Sequence, residues 1–386
     1  MLRVYYLLLW LTLGCSLTCS FIQSSLLSAQ NPAAYHQRVE NGIVNRRCRR
    51  ASQTTMVSEE EDREAVYTVV FVRHGQSTWN KANRFIGWTD TELTPEGELE
   101  ARIAGSLLAE ADYQFDEVHT SMLKRAIKTS WLVLEQLGTE YTPVVCDYRL
   151  NERSYGTLVG LYKKECVEEF GAPQVKQWRR SYDVPPPPMD ETSQYWPGHD
   201  PRYAHLPREC IPLSESLKDT SKRSLSYWNE ELVPRIRAGK QLLVSGHENN
   251  LRSLLMHLDQ VSPEVIVNVE VPRAVPLVYY LDKDLRPIKL AGAAPHLSGR
   301  YLGDPEELRR IMERDSKQVY DLSVRENLET EENVFNRLAL VEGQTALPPD
   351  PQRPNRARLA ERPGGAAARR GAGWPDLLLG DGPAGA

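Results

Sequence analysis

The chain reads as an α/β protein, a three-layer α/β/α domain on a mainly parallel sheet, and three observations predict that class. Short apolar runs recur at Tyr67–Val72, Glu117–Thr120, Thr142–Cys146, Gln241–Ser245 and Val275–Leu281. Runs of that length suit strands buried on both faces. Segments with apolar residues at helical spacing lie between them, and strands alternating with helices argue for a parallel sheet covered on both sides. Histidines and arginines stand directly behind several of the runs, where an open α/β sheet keeps its ligand site.

In chain order, the first run ends in Arg73-His74-Gly75-Gln76-Ser77-Thr78-Trp79-Asn80, so an imidazole and a guanidinium meet where a buried strand surfaces into a loop. Thr94-Pro95-Glu96-Gly97 predicts a helix start, with a threonine cap and a first-turn proline. Met122 to Leu137 spaces Met122, Ala126, Trp131 and Leu134 as a helix does and puts Arg125 near its beginning. After the third run, Leu150-Asn151-Glu152-Arg153-Ser154-Tyr155-Gly156 carries a carboxylate on a loop. Val184 to Tyr203, with four consecutive prolines, predicts a long irregular insertion, and such loops in compact domains are commonly lids or rims of sites. Ser214 to Ile236 and Asn249 to Leu258 read as further helices. Between them Leu242-Leu243-Val244 leads to His247 and then to Glu248-Asn249-Asn250-Leu251-Arg252, a helix start that aims backbone N–H groups at an anion. There is no internal repeat. Beyond Thr345 the chain turns to Pro, Gly, Ala and Arg, a composition that builds no core.

Composition bounds the function. Across 386 residues, 41% hydrophobic and 26% charged residues fit a soluble globular protein. A formal net charge of -5 offers no electrostatic footprint for nucleic acid, so clustered cations read as a local anion site. Cys146, Cys166 and Cys210 are spaced neither as metal ligands nor as a disulfide framework, which points to a reduced, metal-free domain.

The N-terminus reads as a leader. Met1-Leu2-Arg3, an apolar stretch to Leu17 and Thr18-Cys19-Ser20 fit a signal peptide, and Phe21 to Ser52 adds five arginines against one acid, Glu40, as transit peptides do. Such bipartite leaders are similar to those that carry proteins into plastids bounded by extra membranes, with Phe21 where a phenylalanine is expected. A secreted or signal-anchored protein is the alternative. The expected organisation is a signal peptide over 1–20, a transit-like segment and linker over 21–63, a catalytic domain over 64–320 and a disordered tail over 321–386, with no stable membrane span once the leader is removed.

The motifs carry a particular chemistry. A ring nitrogen beside an arginine suits attack on a phosphoryl group, the guanidinium pairing with phosphate oxygens. Two strand-end histidines, His74 and His247, can face one phosphate, and Arg73, Arg125 and Glu152 come to the same sheet edge. His119, His205, His257 and His296 read as surface or packing residues.

Tyr67 to about Asp304 resembles the cofactor-dependent phosphoglycerate mutases of the histidine phosphatase superfamily. The likeness is carried by Arg73 to Asn80, Leu123-Lys124-Arg125-Ala126, Leu150-Asn151-Glu152-Arg153, Gln177-Trp178-Arg179-Arg180, Pro197 to Tyr203 and Val275-Pro276-Leu277-Val278-Tyr279. It implies a phosphoglycerate mutase-like fold, and His74 as the phosphorylated residue with Arg73, Arg125 and His247 around the transferring group. It also implies Glu152 as proton shuttle, and substrate contacts from Ser77, Asn80, Gly87, Tyr155, Lys163, Arg179, Arg180, Glu248 and Asn249. The implied reaction interconverts 3- and 2-phosphoglycerate, primed by 2,3-bisphosphoglycerate without metal, in a protein that is commonly a homo-oligomer. Alternatives on the same site are a bisphosphoglycerate mutase or phosphatase, and a catalytically weak binding or scaffold protein.

The pattern breaks at four places. Glu248 replaces the glycine usual after the second histidine, Asn250 a serine, Ile86 the threonine before Gly87, and Arg273-Ala274 a Thr-Gly pair. A carboxylate beside a phosphate is unfavourable unless paired, and an ion pair between Glu248 and Arg273 is the expected remedy.

Overall fold

One six-stranded sheet runs in the order β3-β2-β4-β1-β5-β6, formed by β1 (Tyr67–Arg73), β2 (Glu117–Thr120), β3 (Val144–Cys146), β4 (Leu242–Gly246), β5 (Leu277–Leu281) and β6 (Arg300–Tyr301). The computed structural model describes residues 64–320, with side chains to 313, and residues 350–354. The expected signal and transit segments, and the tail apart from 350–354, lie outside the described residues. The β1–β4, β4–β2 and β2–β3 pairs are parallel, while β5 and β6 run antiparallel at one edge.

Proline explains where observed strands start later than the apolar runs do. Pro143 and Pro276 have no N–H to give a ladder, so β3 begins at Val144 and β5 at Leu277. The two-residue β6 is too short to leave a pattern in the sequence.

Alternation along β1 divides the core into two layers. Val69 and Phe71 join Leu242, Val244, Leu277 and Tyr279 under the helices Leu217–Tyr227 and Glu248–Leu258. Val70 and Val72 join Leu243, Val278 and Tyr280 under the helices Pro95–Glu110 and Lys124–Leu137. Successive side chains of a strand point to opposite faces, so an all-apolar strand demands helices on both, and the three-layer α/β/α architecture follows.

Two helices depart from expectation for local reasons. The helix expected over Ser214–Ile236 ends as such at Tyr227, loosens into a π-turn over Trp228–Leu232 and resumes over Val233–Arg237. Pro234 cannot give its missing N–H to the preceding turn, and the wider turn absorbs the mismatch. Trp131, expected on the buried face of its helix, is 58% exposed. It stands five residues from buried Ala126, about 140° around the helix at 3.6 residues per turn.

Within the stretch expected to be a structureless tail, residues 350–354 are anchored at the sheet's edge. The Asp350 carboxylate accepts hydrogen bonds from Tyr280 and Arg300, both at 2.7 Å. Arg353 covers the Tyr113 ring at 4.2 Å and donates to the carbonyls of Ala111 and Asp112.

Candidate active site

Strand register builds the centre of the site. Arg73 is paired with Gly246 across parallel β1 and β4, so the next residue on each strand is a histidine. The ladder continues one step, from the His74 N–H to the Gly246 carbonyl at 3.0 Å, and the two imidazoles end with centroids 5.0 Å apart. The loop behind His74 is pinned. Gly75 and Gly97 pass so closely that a Cβ on Gly75 would lie 2.1 Å from the Gly97 carbonyl oxygen, and one on Gly97 would lie 2.0 Å from that of Gln76. The Gly75 N–H is also held by Thr129 at 3.1 Å.

Hydrogen bonds fix which nitrogen of His74 can react. Its Nδ1 lies 2.7 Å from the Gly75 carbonyl oxygen, an acceptor only, so Nδ1 carries the proton and the lone pair is on Nε2. Burial, then Arg125 and Arg73, hold the His74 pKa well below its ordinary value, leaving the ring neutral and nucleophilic. The Arg125 Nε–H donates to Nε2 at 3.2 Å. Its remaining nitrogens are clamped at 2.9 Å by the carbonyls of Thr89 and Gly87, so the guanidinium is held against His74 Nε2. Gly87, expected to touch substrate, instead orients Arg125 through its backbone and stands outside the cavity lining.

His247 lies beneath, fully buried, with Nε2 at 2.7 Å from the Ser121 hydroxyl. Burial, then Arg125 and His74, lower its pKa well below normal as well. Both rings therefore stay neutral in the fold but take up protons when the chain unfolds below about pH 6.5. The unfolded state binds more protons there, so their contribution is intact above that pH and is lost as pH falls. The thermal midpoint should drop between pH 7 and 5, and a melting series on His247→Gln should show a shallower drop; an unchanged slope would contradict neutral burial of His247.

Glu152 is set by two backbone donors to Oε1, the N–H of Arg153 at 2.7 Å and that of Asn249 at 3.3 Å. Among the described residues Oε2 has no hydrogen-bond partner, and the side chain lines the cavity.

That cavity is lined by Arg73, His74, Asn80, Arg84, Phe85, Ile86, Arg125, Glu152, Tyr155, Lys163, Arg179, Arg180, Glu248 and Asn249. The structure thus gathers most of the residues expected from sequence. Ser77 is not among them: it is buried, and its hydroxyl caps the short helix Thr78–Lys81 by accepting from the Asn80 N–H and donating to the Asn80 side chain at 2.9 Å. Asn249 holds the Tyr155 hydroxyl at 3.2 Å. Burial, with Arg179 and other cations adding to it and Glu248 opposing, brings the partly covered Lys163 down to about 7.

Glu248 is paired, but with other partners than expected. Its carboxylate meets Arg73 at 3.0 Å and Arg180 at 3.5 Å, whereas Arg273 has its guanidinium 3.9 Å from Glu100. The reason is topological. Arg73 sits at the end of β1, beside the helix that Glu248 opens, while Arg273 faces the start of the helix Pro95–Glu110.

Three contributors went unforeseen. Ser121 orients His247, Thr129 pins the His74 loop, and Arg84 lines the cavity, stacked on Trp79 at 4.3 Å and bonded to the Gly160 carbonyl at 2.6 Å. Arg84 stands two residues before Ile86, where the sequence had already drawn attention. His205, His257 and His296 are exposed, and His119 is buried against Tyr227 and Glu117. Among the described residues no group of three or more His, Cys, Asp or Glu stands together as a metal site, and no helix is long and apolar enough to cross a membrane.

Residues 69–284 match the family model for the histidine phosphatase superfamily, branch 1. The chain belongs to the histidine phosphatase superfamily. Its members are phosphatases and mutases that share phosphoryl-transfer chemistry, and the six-stranded sheet with its helical layers is their phosphoglycerate mutase-like fold. Among solved structures, mycobacterial hydrolase 1 is 21% identical, with 59% of this chain and 99% of that one covered at a TM-score of 0.46. An alpha-ribazole phosphatase from Shigella flexneri is 20% identical, covering 61% and 98% at 0.45. A phosphoglycerate mutase from Bacillus anthracis is 19% identical, covering 61% and 95% at 0.42. In this member of the superfamily the strand-end pair His74 and His247 stands with Arg125 donating to His74 Nε2, a preorganised cation beside a ring nitrogen, which suits phosphoryl-transfer chemistry.

Proposed function

We propose that the protein is a phosphoglycerate mutase, interconverting 3- and 2-phosphoglycerate through a phosphohistidine at His74. One observation carries the reading: six basic residues, Arg73, Arg84, Arg125, Lys163, Arg179 and Arg180, line a single cavity around the His74 pocket with two carboxylates, Glu248, which is paired to Arg73 and Arg180, and Glu152, whose Oε2 has no hydrogen-bond partner among the described residues. A phosphomonoester that also bears a carboxylate supplies the negative charge such a pocket needs, and the motif set matches the mutase pattern over most of the domain.

The chemistry follows from the residues. His74 Nε2 attacks phosphorus in line while the bond to the leaving oxygen breaks. As its lone pair is used, the Arg125 Nε–H loses its acceptor and turns to a phosphoryl oxygen. Glu152 returns a proton to the leaving oxygen and later takes one from the hydroxyl that reclaims the phosphoryl group. Tyr155, Lys163 and Arg179 hold the rest of the substrate, with Arg180 lining the same end of the pocket. The 2,3-bisphosphoglycerate primer supplies the phosphoryl group with which His74 is first charged, and the side-chain chemistry needs no metal.

Conversion of 3-phosphoglycerate to 2-phosphoglycerate, followed with and without primer, tests the reading. Primer-dependent interconversion is expected. Release of inorganic phosphate with no 2-phosphoglycerate would replace it with the phosphatase reading. The leader adds a proposal of its own: a fluorescent fusion of residues 1–63 should reach the plastid, and a cytosolic signal would defeat that.

A further inference from the structure

Glu248 stands where it competes with a ligand. It opens the helix Glu248–Leu258 immediately after His247, lines the cavity, and joins the two ends of the pocket. At one end it holds Arg73 Nη2 at 3.0 Å, beside the nucleophile; at the other it holds Arg180 Nη1 at 3.5 Å, among the residues assigned to the rest of the substrate. Both arginines are further committed within the protein. Arg73 Nη1 donates to the Val271 carbonyl at 2.8 Å, and Arg180 Nη2 pairs with Glu270 at 2.8 Å.

The carboxylate is ionised. Burial by itself raises its pKa, but Arg73, Arg180, Arg252 and Arg179 overcome that and hold it well below the ordinary carboxylate range. A negative charge at a helix N-terminus is favourable as well. The cavity therefore contains a fixed anion lying across two of its six cations.

We propose that Glu248 is a resident counter-ion that sets the ligand charge this pocket accepts. It uses the cationic surface that a second phosphate would need, so the pocket favours phosphate monoesters carrying one further carboxylate over bisphosphorylated ligands. The inference rests on the phosphoryl-transfer reading of the same pocket and narrows its substrate class. The step it changes is binding. A bisphosphorylated ligand must either share Arg73 and Arg180 with Glu248 or displace its carboxylate, whereas a monoester with a single carboxylate is served by Arg125, Lys163 and Arg179. Within a few ångströms, like charges in a partly dry pocket repel by enough to shift affinity about tenfold or more.

The experiment titrates 3-phosphoglycerate and 2,3-bisphosphoglycerate by calorimetry into His74→Gln protein, which accepts no phosphoryl group, with Glu248 intact and with Glu248→Gln. With Glu248 intact, the bisphosphate should bind more weakly than the monophosphate. Glu248→Gln should tighten the bisphosphate about tenfold and the monophosphate less than about threefold. Bisphosphate binding as tightly as the monophosphate or tighter with Glu248 present, or an equal shift of both ligands on substitution, would overturn the proposal. Should the double variant fail to fold, the ratio measured with Glu248 intact decides alone. Binding of neither ligand would overturn the phosphoglycerate reading itself and the inference with it, whereas tight bisphosphate binding indifferent to Glu248 overturns only the inference.

Discussion

His74→Ala should lose about four orders of magnitude or more of phosphoryl-transfer rate, the scale of removing a covalent nucleophile, while keeping its fold. The ring is buried and makes one strong side-chain contact besides Arg125, the Nδ1–H to the Gly75 carbonyl. Its loss leaves a small cavity and one unpaired carbonyl, a cost of about 1–3 kcal/mol that a folded domain can absorb. Steady-state rates together with circular dichroism check both halves. A variant retaining more than about a hundredth of the rate, against the scale above, would mean that phosphorus never bonds to this nitrogen.

Arg125→Lys should be the second largest loss, about 10²–10³ in kcat with little change in KM. Arg125 remains charged although burial lowers its pKa to about 10, and its role depends on shape. One guanidinium reaches His74 Nε2 while two further nitrogens are held by the Thr89 and Gly87 carbonyls. A lysine ammonium has no planar fork, cannot make all three contacts and leaves buried carbonyls unpaired, so the charge would be present but wandering. Rate loss mainly in kcat supports an interaction made in the transition state. A rise in KM at constant kcat would place Arg125 in ground-state binding instead.

What the sequence revealed of this site, and what it concealed, follows from the range of the interactions involved. His74 and His247 were legible because each follows an apolar run, and the parallel register of Arg73 with Gly246 turns that local fact into adjacency. Glu152, Tyr155, Lys163, Arg179 and Arg180 were reached through motif likeness, and they meet in one cavity. Ser77 was misplaced because a serine three residues before an asparagine is equally a phosphate ligand and a helix cap, and here capping takes the hydroxyl. Ser121 and Thr129 act across elements distant in sequence, through single hydroxyls that leave no periodicity or spacing. The partner of Glu248 was assigned to Arg273 on the ground that both depart from the family pattern; the pairing with Arg73 and Arg180 depends on which strand end the helix rises from. In the fold, the strands' apolar runs were sufficient for the parallel part of the sheet, whereas the π-turn before Pro234 and the exposed Trp131 required the helix axis itself to be known.

The proposed chemistry turns on His74 carrying the phosphoryl group. The direct measurement is to incubate the full chain with phosphorus-labelled 2,3-bisphosphoglycerate, quench in alkali, where a phosphoramidate survives, and map the label by peptide. About one phosphoryl group per chain is expected on His74 Nε2, discharged on adding 3-phosphoglycerate and absent from His74→Ala. Label on another residue, or turnover with His74 never phosphorylated, would contradict it.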